Sequence, residues 1–135
     1  MALTLRQARG IVDAGVAKAE ALGVRQAIAI VDAAGHLLTL DRMDGTNLLR
    51  ERFAQGKAFA AVFYRRPTRD AGSMQETNPQ LYFGALGMFP GEMFIVPGGF
   101  PIMLDGQLVG GIGVSGGSGE QDEEVAQVGL ATLSR

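Results

Sequence analysis

The stretch Pro97-Gly98-Gly99-Phe100-Pro101-Ile102-Met103-Leu104-Asp105-Gly106-Gln107-Leu108-Val109-Gly110-Gly111-Ile112-Gly113-Val114-Ser115-Gly116-Gly117 decides the fold. Asp105-Gly106 is a strong hairpin signal, because a tight two-residue turn needs positive φ at both positions. The apolar residues on either side predict two antiparallel strands, Ile102 to Leu104 and Gln107 to Val114. Pro97 to Pro101 reads as a sharp irregular turn: its prolines fix φ and its glycines allow close backbone approach. Ser115 to Gly119 reads as a flexible loop. It leads into a helix from Gln121 to Leu133, capped near Ser118 or Gly119. Asp122, Glu123 and Glu124 fall in the first turn of that helix, where they complement its dipole.

Working outward, Met93 to Val96 predicts one more strand. Ala27 to Val31 and His36 to Arg42 predict a first hairpin, turned at Asp32-Ala33-Ala34-Gly35. Thr4 to Leu22 has apolar residues at helical spacing, a Thr4/Gln7 capping box and Gly23 as C-cap. A second helix starts after Thr46 or Asn47 and runs to Tyr64, with Pro67 ending it. Between Arg65 and Gly91 periodicity is weak. A short helix around Met74 to Phe83 fits there, and the stretch reads as a lid or a subunit contact. Hairpins separated by helices predict an α+β domain spanning residues 1–135, with one antiparallel sheet and helices on its faces.

Composition narrows the function. The chain has 135 residues, 47% hydrophobic and 19% charged, with net charge −2 and no cysteine. That is an ordinary globular balance. Disulfides, thiolate catalysis and cysteine-based metal sites are excluded. The absence of a basic cluster argues against nucleic-acid or anionic-membrane partners. No apolar run is long enough to span a bilayer, and the N-terminus lacks the pattern of a signal peptide. A cytoplasmic protein is expected.

Several residues are candidates for a small-molecule site. Ser115 to Gly119 precedes a helix, where backbone N–H groups can hold an anion; a mobile strand-to-helix turn is the other reading. Gly98, Gly99 and Phe100 form either a pocket wall or a sheet corner. Arg42 and Asp44 end a strand, and an Arg there can clamp a carboxylate. Glu51, Arg52 and Lys57 lie on the second helix. A lysine in an alanine-rich packing stretch either points into a polar cavity or snorkels. His36 is the only histidine, which makes it the one imidazole available to haem and argues against a standard zinc site. The aromatic and methionine run from Tyr82 to Phe94 reads as core, interface or cofactor wall.

The chain resembles the GlcG/HbpS family, whose members also form the C-terminal domain of PduO-type proteins. The shared features are AIAIVDAAGHLLTLDRMDG, KAFAA, and PGGFPIMLDGQLVGGIGVSGGSGEQDEEVAQVGL. The resemblance implies a profilin-like fold, a five-stranded antiparallel sheet between helices in α/β/α layers, and homo-oligomers from dimer to octamer. It also implies small-molecule binding, haem in some members, beside catabolic enzymes in others. Arg42, Asp44, Lys57, Gly98, Gly99, Ser115, Gly116 and Asp122 match family motifs and are expected at one end of the sheet. Two functions follow as expectations. One is a small-molecule-binding protein, with haem as the possible cofactor and His36 as its ligand, accessory to a catabolic pathway. The alternative is a cofactor-independent enzyme acting on an organic acid, with Arg42 as clamp and Lys57, Glu51 or Asp122 as acid/base.

Overall fold

The computed structural model describes residues 1–133. In it Asp105 and Gly106 turn the chain at φ 50° and 78°, joining β3 (Gly99–Leu104) to β4 (Gln107–Ser115). The first hairpin pairs β1 (Ala27–Asp32) with β2 (Leu37–Arg42). Its turn is held by Asp32, whose Oδ1 accepts the N–H groups of Ala34 and His36 at 2.9 Å each. β1 also pairs antiparallel with β4, giving one sheet in the order β2-β1-β4-β3.

The sheet has four strands rather than the five expected. Met93 to Val96 is the missing strand. Its side chains alternate as a strand's would, with Met93 and Ile95 buried and Phe94 and Val96 half-buried. Its backbone, however, meets no strand edge. The Val96 carbonyl accepts from the Thr68 hydroxyl at 2.5 Å instead. Thr68 also receives the Gly99 N–H at 2.8 Å, and strand pairing begins at Gly99, so the expected turn through Pro101 is already part of β3.

Helix α1 (Leu5–Leu22) carries the Thr4/Gln7 capping box and ends at Gly23, φ 73°. Asn47 caps α2 (Leu48–Tyr64). The weakly periodic middle folds as three short helices, α3 (Thr68–Gly72), α4 (Met74–Thr77) and α5 (Pro79–Met88). The last helix, α6 (Gly119–Leu130), starts earlier than expected because Ser118 and Gln121 form a second capping box. It gives way to a 3₁₀ turn at Ala131–Leu133.

Alternation along β1 sets the layers. Ile28 and Ile30, with Ile112 and Val114 of β4, pack against Ile11 and Val12 of α1 and Val125 of α6. Ala27, Ala29 and Val31 face Ala54 and Ala58 of α2. The sheet thus lies between α1/α6 and α2. Outside α2, Ala60, Ala71, Ala85, Met93 and Ile95 form a further apolar cluster with α3 to α5. The glycines of β4 let α2 lie directly on the strand. A Cβ at Gly111 would sit 2.6 Å from the Ala58 carbonyl oxygen, and one at Gly113 would collide with that of Ala54.

Candidate functional site

Close approach of α2 to β4 brings Lys57 to the end of the sheet. There it meets Asp122, which comes from α6 on the opposite face. Lys57 is 3% exposed and its Nζ donates to the Val114 carbonyl at 2.7 Å and to Asp122 Oδ2 at 3.1 Å. Asp122 Oδ1 accepts from Gln26 Nε2 at 2.7 Å and from the Gly117 N–H at 2.9 Å. Gly98, at φ 124°, makes room for the pair: a Cβ there would lie 2.8 Å from Lys57 Nζ and 2.6 Å from the Val114 oxygen. Gly116, at φ 140°, folds the chain against Gln26, whose Cα would be 2.9 Å from a Cβ at that position.

Burial dominates the electrostatics of this pair. It pushes the Lys57 ammonium below its ordinary pKa, with the Asp122 charge opposing. It pushes the Asp122 carboxyl above its ordinary pKa, with Lys57 and the Gly117 N–H opposing. Both directions weaken the charged forms, as expected for ions removed from water. Beside the pair lies a cavity of about 290 Å³, lined by Arg50, Phe53, Lys57, Phe94, Val96, Pro97, Ser115, Gly117, Gly119 and Asp122. The Phe53 and Phe94 rings stack at 3.9 Å on its apolar side.

A second, larger cleft of about 670 Å³ opens on the other side of α2, at the first hairpin turn. His36, Leu37 and Val31 line one wall, and Arg52, Phe59 and Phe89 line another. The His36 side chain is 82% exposed, with Nδ1 3.8 Å from Asp32 Oδ2. The Phe59 and Phe89 rings pack tilted at 55° with centroids 5.8 Å apart. Among the described residues, no group of three or more His, Cys, Asp or Glu side chains is placed to hold a metal ion. No helix there is long and apolar enough to cross a membrane.

Residues 3–131 match the family described as haem degrading protein HbpS-like. The chain belongs to the HbpS-like family. It is 33% identical over 134 residues to the corrinoid adenosyltransferase PduO of Citrobacter freundii, covering 99% of this chain and 40% of that protein. The HbpS-like chain therefore spans about two fifths of the length of that curated relative. A crystal structure of a PduOC–heme complex superposes with a TM-score of 0.90 at 31% identity, covering 98% and 96% of the two chains. A double mutant of Streptomyces reticuli HbpS superposes at 0.89 with 34% identity, covering 100% and 89%.

The HbpS-like fold brings Lys57, Asp122, Gly98 and Ser115 together, with Gly99 and Gly116 as the close-packed backbone around them. Other expected site residues go elsewhere. Arg42 is level with Ser115 in the sheet, both pairing with Ala27. Its guanidinium, however, donates to the Thr46 carbonyl at 2.8 Å. With Asp44 it lines a separate cavity beside the end of α1. The Asp44 carbonyl receives Arg25 at 3.5 Å. Phe100 packs half-buried against the α1/α6 core. Glu51 does not line the Lys57 cavity, and Arg52 lies in the His36 cleft. Asp122 is buried at 3% exposure rather than solvated in a charged first turn.

Sequence reasoning missed Arg50, Phe53 and Gln26. Arg50, Phe53 and Lys57 stand at i, i+3 and i+7, which places them on one face of a helix, so two of the three had a readable signal. Gln26 had none: its bond to Asp122 spans 96 residues.

Proposed function

We propose that this chain is a small-molecule-binding protein that takes haem in the cleft beside the first hairpin. The observation that carries the reading is the setting of the single histidine. His36 opens onto a cleft of about 670 Å³ whose other walls include two aromatic rings and the Arg52 guanidinium. The donor set fits the group. An imidazole is a common axial ligand to haem iron. Phe59, Phe89 and Leu37 supply apolar surface for a macrocycle, and Arg52 supplies a cation for a propionate. Asp32 Oδ2 stands 3.8 Å from His36 Nδ1, close enough for its carboxylate to help orient the imidazole if it held the haem iron. Haem, when bound, would supply an iron centre able to take axial ligands; the residues of this chain hold and orient it. The haem in the PduOC complex and the haem in the family's description support haem as the ligand class.

The cleft is open on one side, and apolar side chains nearby are exposed: Phe63 at 42%, Phe83 at 55% and Met88 at 77%. A second copy covering this region would enclose the ligand, so homo-oligomerisation belongs to the proposal. Titration of the purified chain with haem, followed by the Soret band, tests it. Saturable binding near one haem per chain is expected, and His36→Ala should move the Soret maximum and weaken binding by at least the roughly tenfold that losing even an outer partner of a metal ligand costs. Binding and spectrum unchanged in His36→Ala would remove His36 as ligand. No saturable binding by wild type would remove haem.

A further inference from the structure

The Lys57 cavity shares no lining residue with the His36 cleft. Three polar side chains line it, Arg50, Lys57 and Ser115. An ammonium has three N–H donors, and Lys57 gives one to Val114 and one to Asp122. Ser115 lines the cavity and is 1% exposed, and its hydroxyl can both donate and accept. Arg50, half-buried on the same helix face, has no ion-pair partner among the described residues. The neighbouring acid Glu123 is engaged by Arg69, Nε to Oε2 at 2.9 Å. Asp122 is the one acid bonded to Lys57, and Glu123, which also acts on Lys57 through space, is held by Arg69, so the Arg50 guanidinium has no carboxylate in contact among the described residues. Opposite these groups the wall is apolar, formed by the stacked Phe53 and Phe94 rings and Pro97.

We propose that this cavity binds a small carboxylate, its oxygens on Arg50 and Lys57 and its carbon skeleton against Phe94. The anion gives Arg50 a carboxylate in contact and takes up the unused Lys57 donor, and Ser115 meets an oxygen of the ligand. The volume of about 290 Å³ sits at the small end of ligand pockets, roughly 300–1,000 Å³, so the ligand is a short or single-ring acid.

The experiment uses the intact ¹⁵N-labelled chain and reads the backbone amides of Ser115 and Gly117. The probes are acetate, propionate, succinate and benzoate, each against its own amide at matched ionic strength. At least one acid should shift these amides saturably while its amide does not. Arg50→Ala should weaken that binding by about tenfold, the effect of losing one charge-assisted contact. Arg50→Gln, which keeps the bulk, repeats the test if the alanine variant melts early. Arg52→Ala, in the haem cleft, should leave carboxylate binding unchanged, so failure here and failure of haem binding are separable. The assignment is overturned if no acid exceeds its amide, if both Arg50 variants bind as wild type, or if inorganic phosphate binds where every acid fails.

Discussion

Lys57→Met removes the cation of a pair whose members are only 3% and 5% exposed. Breaking one side of a buried pair leaves an uncompensated charge and costs about 3–5 kcal/mol. Here the Asp122 carboxylate keeps its bonds from Gln26 at 2.7 Å and Gly117 at 2.9 Å, which places the expected loss at the lower end, about 3 kcal/mol. For a chain this size that is a fall in Tm of about 10 °C. Adding Asp122→Asn removes the stranded charge while an amide oxygen still accepts from Gln26 and Gly117. The double variant should recover to within about 1 kcal/mol of wild type, the residue being the orphaned Val114 carbonyl. Urea denaturation of the full cycle measures this coupling. The pH profile adds a signed test. Burial raises the Asp122 pKa, and loss of Lys57 removes an opposing positive charge, so the folded state holds this proton more tightly than the unfolded chain. Stability then falls as pH rises from the ordinary carboxylate range through the raised value. The fall should be steeper in Lys57→Met and should vanish in the double variant. A Lys57→Met loss below about 1 kcal/mol at neutral pH, or a pH profile parallel to wild type, would refute the claim that the pair is buried and mutually dependent.

Other substitutions separate packing from chemistry. Gly113→Ala puts a Cβ into the Ala54 carbonyl and within 2.6 Å of the Ala58 nitrogen; neither backbone atom can rotate away, so thermal melts should show a loss of about 1–3 kcal/mol or more. Gly84→Ala, inside α5 with nothing within 4 Å of the new Cβ, should instead gain about 0.5–1 kcal/mol, and a loss there would contradict its helical, open setting. Thr68→Val leaves the Val96 carbonyl and the Gly99 N–H without their partner at a fully buried position, an expected cost of about 1–3 kcal/mol by urea denaturation.

The fold was legible where chemistry is local. The Asp105-Gly106 turn, the Thr4/Gln7 box and the Gly23 cap each depend on residues within a few positions, and each stands where the sequence puts it. Met93 to Val96 was misread because alternation reports which side chains are buried, not whether a neighbouring strand exists. Composition alone makes the acids of α6 one charged turn, and only the family motif sets Asp122 apart, yet each has its own partner: Asp122 with Lys57 at 3.1 Å, Glu123 with Arg69 at 2.9 Å and Glu124 with Lys18 at 2.9 Å. Which acid turns inward is set by helix rotation against a sheet whose position the local sequence does not contain.

The glycines of the second half have a different job from the one their pattern first implies. Pocket walls built from glycine offer backbone to a ligand, but Gly111 and Gly113 are filled by the carbonyls of Ala58 and Ala54, and Gly99 by that of Lys57. Their missing side chains admit helix α2, not a ligand. That contact carries Lys57 across the sheet to Asp122, and Gly98 then leaves space for its ammonium. A larger residue at Gly111 or Gly113 would lift α2 and carry Lys57 away from Val114 and Asp122. The glycine signature therefore acts on the site through the position of a helix. This explains why three of the side chains lining the cavity, Arg50, Phe53 and Lys57, lie on α2, outside the stretch that marks the fold, while Pro97, Ser115 and Gly117 come from the stretch itself.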